Sequence, residues 1–185
     1  MSISKEKIIS NATKFNETGV KYGVINDDLL KLIGEEIIKA PCTTLDRMYN
    51  AFEGGLIQHI LNVTKYAISI NSSLPESKRI EVNKIIRVCI LHQIGKSKMF
   101  IPQESEWHVK NKGEFFKFNN NEVSLKVGER SVYYALKSNI DLNEDEVFAI
   151  LNYDFDFGNR ELKTDGEKLA SLLKVANLVA IISEK

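Results

Sequence analysis

Two imidazoles and two carboxamides stand in helical patterns that are otherwise almost wholly apolar. His59 lies in Gly54-Gly55-Leu56-Ile57-Gln58-His59-Ile60-Leu61. His92 and Gln93 lie in Cys89-Ile90-Leu91-His92-Gln93-Ile94-Gly95-Lys96, and Asn177 in Leu172-Leu173-Lys174-Val175-Ala176-Asn177-Leu178. A polar group buried without a partner costs about 1–3 kcal/mol. Three such positions on three helices therefore imply one shared polar pocket. The plain alternative is a pair of core histidines satisfied by their neighbours. The chemical one is ligation of a metal ion by ring nitrogens.

In order, spacing and flanking residues these segments resemble the HD-domain superfamily of metal-dependent phosphohydrolases, over about residues 41–180. In that family a His follows a Gly-Gly-Leu-type helix start. A His-Asp pair sits in a Leu-His-Asp-x-Gly-Lys string, and a last Asp in an Ala-Asp pair on a C-terminal helix. Together they bind one divalent ion, which polarises a phosphate ester and activates a water. Residues 106–119, from Glu106-Trp107-His108 to Phe116-Lys117-Phe118-Asn119, are similar to an excursion in phage-encoded members.

His59 and His92 match the first two ligands of the family, but Gln93 and Asn177 stand where it has its two aspartates. Hard divalent ions prefer anionic oxygens, and amide oxygens bind them weakly. The departures imply a degenerate metal site and a catalytically inactive protein. Such a protein would act as a scaffold, or as a binder of a protein partner or a nucleotide-like phosphate ligand, with no cofactor. The alternative is an active phosphohydrolase on nucleotides or nucleic-acid ends, with Mn, Fe, Ni or Mg held by His59, His92 and a substitute such as Asp154. The resemblance further implies that Lys96 faces phosphate and that Tyr153 takes the place of another family histidine. Arg130 could supply a planar anion contact. Asp154 and Asp156 otherwise read as a solvated acidic loop, Lys96 and Arg130 as surface charges, and His108 as a surface residue.

The elements that must position these groups can be read from periodicity. Helices are expected over 5–15, 26–40, 56–71, 77–94, 128–137, 143–153 and 166–183, with apolar residues at helical spacing. Pro41 ends the second of these, Pro75 separates the third and fourth, and Gly95 ends the fourth. Residues 107–118 alternate loosely around Asn111-Lys112-Gly113, which predicts a small β-hairpin or loop excursion packed by Trp107, Phe115, Phe116 and Phe118. The expectation is one all-α domain over 1–185, an HD-like helical bundle with N-terminal helices over 1–40 and the core over 41–185.

Composition bounds the rest. Lys plus Arg equals Asp plus Glu at 25 each, so the net charge is zero, and no strong nucleic-acid signal is present. Cys42 and Cys89 form no disulfide framework, which fits a reducing compartment. The first residues carry no apolar signal core, and no apolar run approaches the roughly 20 residues of a membrane span. A soluble cytoplasmic protein is expected, with room for a homo-oligomer. The abundance of Lys, Asn and Ile is compatible with an A+T-rich phage genome.

Overall fold

The computed structural model describes residues 3–184. The described chain is mostly helical: α1 (Lys5–Lys21), α2 (Asp27–Ile33), α3 (Glu36–Lys39), α4 (Gly55–Ser73), α5 (Val82–Leu91), α6 (Glu106–Lys112), α7 (Val127–Lys137), α8 (Glu144–Asn152) and α9 (Asp165–Ser183). Short 3-10 turns occupy Glu76–Lys78 and Ile94–Lys96. A two-stranded antiparallel sheet pairs β1 (Phe100–Pro102) with β2 (Phe116–Phe118), Phe100 lying opposite Phe118.

Local chemistry starts several of these helices. Asn26 accepts the Leu29 amide proton at 2.9 Å. Asn143 and Thr164 each form a capping box, with Glu146 and Glu167 three residues on. The apolar stripes then choose the packing. Leu56, Ile57, Ile60 and Val63 of α4 meet Leu169, Leu172, Leu173 and Ala176 of α9 in one buried cluster, and α5 adds Ile85, Cys89 and Ile90. The helix pair α4–α9 forms the main seam; α5 lies against α4, α8 against α9, and α7 against the turn that follows α5. Arg87 on α5 ties three elements together. Its guanidinium pairs with the buried Glu146 of α8 and donates to the carbonyls of Tyr22 and Asp141.

Three expectations are corrected. The single helix over 26–40 is two, because Gly34 takes φ +67° between α2 and α3, a backbone conformation that a β-carbon disfavours. The helix over 77–94 begins only at Val82, after a 3-10 turn, and breaks off at Leu91 before the second turn. The β-hairpin or loop excursion expected over 107–118 is met only in part: β2 lies within it, but residues 106–112 form α6, and the partner of β2 comes from Phe100–Pro102, before that helix. Its aromatic residues do not form a common core. Phe116 is buried, whereas Trp107 and Phe118 are 58% and 64% exposed. His108 is half-buried, with Nδ1 2.8 Å from the Ser105 hydroxyl. Both cysteines are buried free thiols.

Candidate functional site

His59 sits in the second turn of α4, His92 and Gln93 at the break after α5, and Asn177 on α9. Because α4 packs on both α5 and α9, these side chains converge. His59 Nε2 lies 2.8 Å from Asn177 Oδ1. Gln93 Nε2 lies 3.4 Å from His59 Nε2 and 3.3 Å from Asn177 Oδ1. The two imidazole rings are 6.3 Å apart, centre to centre. Both histidines are fully buried, Gln93 is buried, and Asn177 is half-buried.

Each imidazole is pinned from behind. His92 Nδ1 is 2.6 Å from the Cys89 carbonyl oxygen. A carbonyl only accepts, so Nδ1 carries the proton and donates. The opposite nitrogen, His92 Nε2, is buried with no partner among the described residues. Burial, aided by the neighbouring His59, drives the His92 pKa down to about 3, so the ring is neutral in the folded chain near pH 7. His59 Nδ1 is 2.7 Å from Glu184 Oε2, on a side chain that is 4% exposed. That contact makes Nδ1 a donor too.

Glu184 is not among the residues that the sequence alone singles out. Its spacing is the available signal: it comes two helical turns after Asn177, as the residue that caps the end of α9. Its Oε1 accepts from Asn62 Nδ2 at 2.6 Å. The chain of bonds continues outward: Gln58 Nε2 donates to Asn62 Oδ1 at 3.2 Å, and Asn11 Nδ2 to Gln58 Oε1 at 2.9 Å.

The remaining candidates fall in different places. Lys96 is no surface charge: it is buried, with Nζ 3.0 Å from the Cys42 carbonyl oxygen and 5.9 Å over the Tyr49 ring. It adjoins the pocket through Cys42, whose thiol is 3.5 Å from Gln93 Oε1 and whose pKa is raised by burial. Tyr153 stands edge-on to His92 at 5.3 Å, and burial pushes its phenol up to about 12. Asp154 and Asp156 are exposed, and Asp156 lies 3.8 Å from Lys174. The surface reading of Arg130 is corrected as well: it is 4% exposed. Its guanidinium is engaged by the Glu122 carboxylate and the Val123 carbonyl, so its planar fork ties α7 to the preceding loop.

Both imidazoles are sealed from solvent. A cavity of about 300 Å³ bounded by Arg47, Asn50, Phe52 and Glu184 lies on one flank, and one of about 490 Å³ bounded by Lys126, Asn152 and Tyr153 on the other.

Among the described residues, no three His, Cys, Asp or Glu side chains converge to hold an ion. The two amides supply the donors that such a set lacks. Two donors on one ion at about 2.1 Å stand roughly 3–3.4 Å apart. The triangle of His59 Nε2, Asn177 Oδ1 and the Gln93 amide has edges of 2.8, 3.3 and 3.4 Å. Rotating the Gln93 amide places its oxygen at that corner, since oxygen and nitrogen are assigned from bonding partners. His92 Nε2 is buried without a partner among the described residues, and its ring centre lies 6.3 Å from that of His59. Two imidazoles with two amide oxygens fit an ion of the imidazole-preferring kind, such as Zn, Fe or Ni, better than Mg.

The metal-free protein should lose stability in acid through His92. Its folded value of about 3 lies below the ordinary 6.5. Between these values the unfolded chain takes up a proton that the folded chain refuses. The contribution of His92 is therefore complete above pH 6.5 and is lost as pH falls toward 3, by on the order of a few kcal/mol. Urea unfolding at pH 7.5 and 4.5 should show a steeper loss in the parent protein than in His92→Gln. Equal losses would contradict the burial argument.

Comparison with known proteins gives a partial relative. The chain is 32% identical over 98 residues to the dihydroneopterin 2',3'-cyclic phosphate phosphodiesterase of Methanocaldococcus jannaschii. That stretch is 52% of this chain and spans only 37% of the relative's length. No family model and no solved structure matches the chain. Among the described residues, no helix is long and apolar enough to cross a membrane.

Proposed function

We propose that this chain is a phosphodiesterase of the HD type with a rearranged metal site, acting on a phosphate diester of the cyclic-nucleotide kind. The observation that carries the reading is the pair of buried imidazoles, each holding its Nδ1 proton against a fixed acceptor. That leaves both Nε2 atoms free to ligate. The partial similarity to a cyclic-phosphate phosphodiesterase supports the same class.

His59, His92, Asn177 and Gln93 would hold the ion. When bound, it would polarise the phosphoryl oxygen and lower the pKa of a water. Lys96, buried beside Cys42, places a positive charge next to this pocket and favours an anionic ligand. Tyr153, protonated at neutral pH and edge-on to His92, offers a hydroxyl donor. Since both imidazoles are fully buried, substrate access requires one flank to open, and the cavities lined by Glu184, which contacts His59, and by Tyr153, which contacts His92, are the two places for it.

The test combines elemental analysis with assays on 2',3'-cyclic phosphates and dinucleotide diesters. Stoichiometric transition metal and turnover, both abolished in His59→Ala and in His92→Ala, are the expected results. Protein that stays metal-free after incubation with Zn²⁺, Ni²⁺, Fe²⁺ and Mn²⁺ and turns nothing over would sink the reading.

A second reading has its own observation. If the Asn177 and Gln93 amides are both turned, Asn177 donates to His59 Nε2 and to Gln93, and Gln93 donates toward Cys42. The polar core is then closed without an ion. In that form the protein binds a phosphate ligand or a partner without cutting it. A nucleotide that raises the melting temperature while no turnover occurs would favour this second form.

A further inference from the structure

Glu184 brings to the pocket a charge that its four central side chains lack. It rests against the outer nitrogen of His59, so it cannot touch an ion held by the inner one. A carboxylate only accepts hydrogen bonds. It therefore decides which tautomer His59 adopts. With Nδ1–H committed to Glu184, Nε2 keeps its lone pair and faces Asn177 Oδ1 at 2.8 Å. Two acceptors at that distance repel unless something electropositive stands between them or the amide turns. The carboxylate is held in place by Asn62, Gln58 and Asn11, each bonded to the next, so its orientation is built from α1 and α4 as well as from its own position after α9.

We propose that Glu184 is the positioning residue of the site: it fixes His59 in the Nδ1–H tautomer and makes Nε2 a ligand. It also places, through the ring, part of the negative charge that Gln93 and Asn177 do not supply. This deepens the phosphodiesterase reading and rests on it for the identity of what Nε2 binds. The tautomer itself does not depend on that reading.

The experiment uses the full metal-free chain, ¹⁵N-labelled, with long-range ¹H–¹⁵N correlation to read the protonated nitrogen of His59. The unaltered protein should carry the proton at Nδ1 alone. Glu184→Gln should move it to Nε2. Asn62 still donates to the oxygen of the new amide, so the amide's NH₂ is the group left facing Nδ1. Removing Asn62 as well, in Glu184→Gln/Asn62→Ala, frees that amide to turn and should return the proton toward Nδ1. A merely structural role for Glu184 would produce neither the shift nor its reversal. In parallel, calorimetric titration with Zn²⁺ should show affinity falling roughly 10–100-fold in Glu184→Gln. A ring protonated at Nε2 in the unaltered protein, an unmoved tautomer in a folded Glu184→Gln, or equal Zn²⁺ affinity would overturn the proposal. The first of these needs no variant to fold. If the tautomer responds as stated but Zn²⁺ binds neither protein, the metal-site reading fails while the assignment of Glu184 stands.

Discussion

Gln93→Asp combined with Asn177→Asp should raise the affinity for Mn²⁺ by more than roughly a hundredfold, the largest gain available from two substitutions. Both positions border the space around His59 Nε2, at 3.4 and 2.8 Å. A unit negative charge about 4 Å from a dication gains roughly 8 kcal/mol at an effective dielectric near 20, before desolvation is subtracted. Even a small fraction of that, at two positions, exceeds the hundredfold threshold. Asn177→Asp keeps the shape of the side chain and lies at a half-buried position, so it should be tolerated alone. Gln93→Asp shortens the side chain by a methylene and places a charge at a site that is 1% exposed. Without metal, the double variant should therefore melt below the parent, and saturating Mn²⁺ should reverse the order. Calorimetry and thermal unfolding with and without Mn²⁺ give both readings. An affinity no better than the parent's would mean that these two side chains do not border an ion site.

Gly95→Ala should be a strongly damaging methyl addition at the site, lowering stability by about 3 kcal/mol, or about 10 °C in melting temperature for a chain of this size. A β-carbon at Gly95 would stand 2.4 Å from the Val127 carbonyl oxygen and 3.0 Å from both the Ser131 nitrogen and the Arg130 β-carbon. The first two are backbone atoms of α7, so no side chain can rotate away. Ser131 also receives the Gly95 amide proton at 2.9 Å and donates to the His92 carbonyl at 3.2 Å. Pushing α7 off the turn therefore disturbs the break in α5 that aims His92. Thermal unfolding by circular dichroism measures the loss. A variant within about 1 °C of the parent, well inside the shift expected of such a clash, would mean that α7 is not held against this turn as described.

The same glycine separates what is legible in a sequence from what is not. Its place after His92 and Gln93 reads as a helix stop, whereas its tertiary role is to let another helix's backbone approach. Periodicity likewise locates most of the helices, yet it merges α2 with α3 across Gly34 and takes α6 for half of a hairpin. A weak alternation over a few residues cannot tell a short helix from a strand whose partner lies upstream. Arg130 reads in sequence as an exposed cation. Only the fold brings Glu122 and Val123 round to occupy it.

The amino-acid order by itself determined that polar groups at 59, 92–93 and 177 interrupt three apolar stripes, and burial of those stripes forces such groups to find one another. Spacing along a helix is a local property, and it survives in any compact packing of the three. Which nitrogen of His59 holds a proton is not local. Tertiary structure decided it by bringing Glu184 from 125 residues away to 2.7 Å from Nδ1, because hydrogen-bond direction depends on which partner arrives.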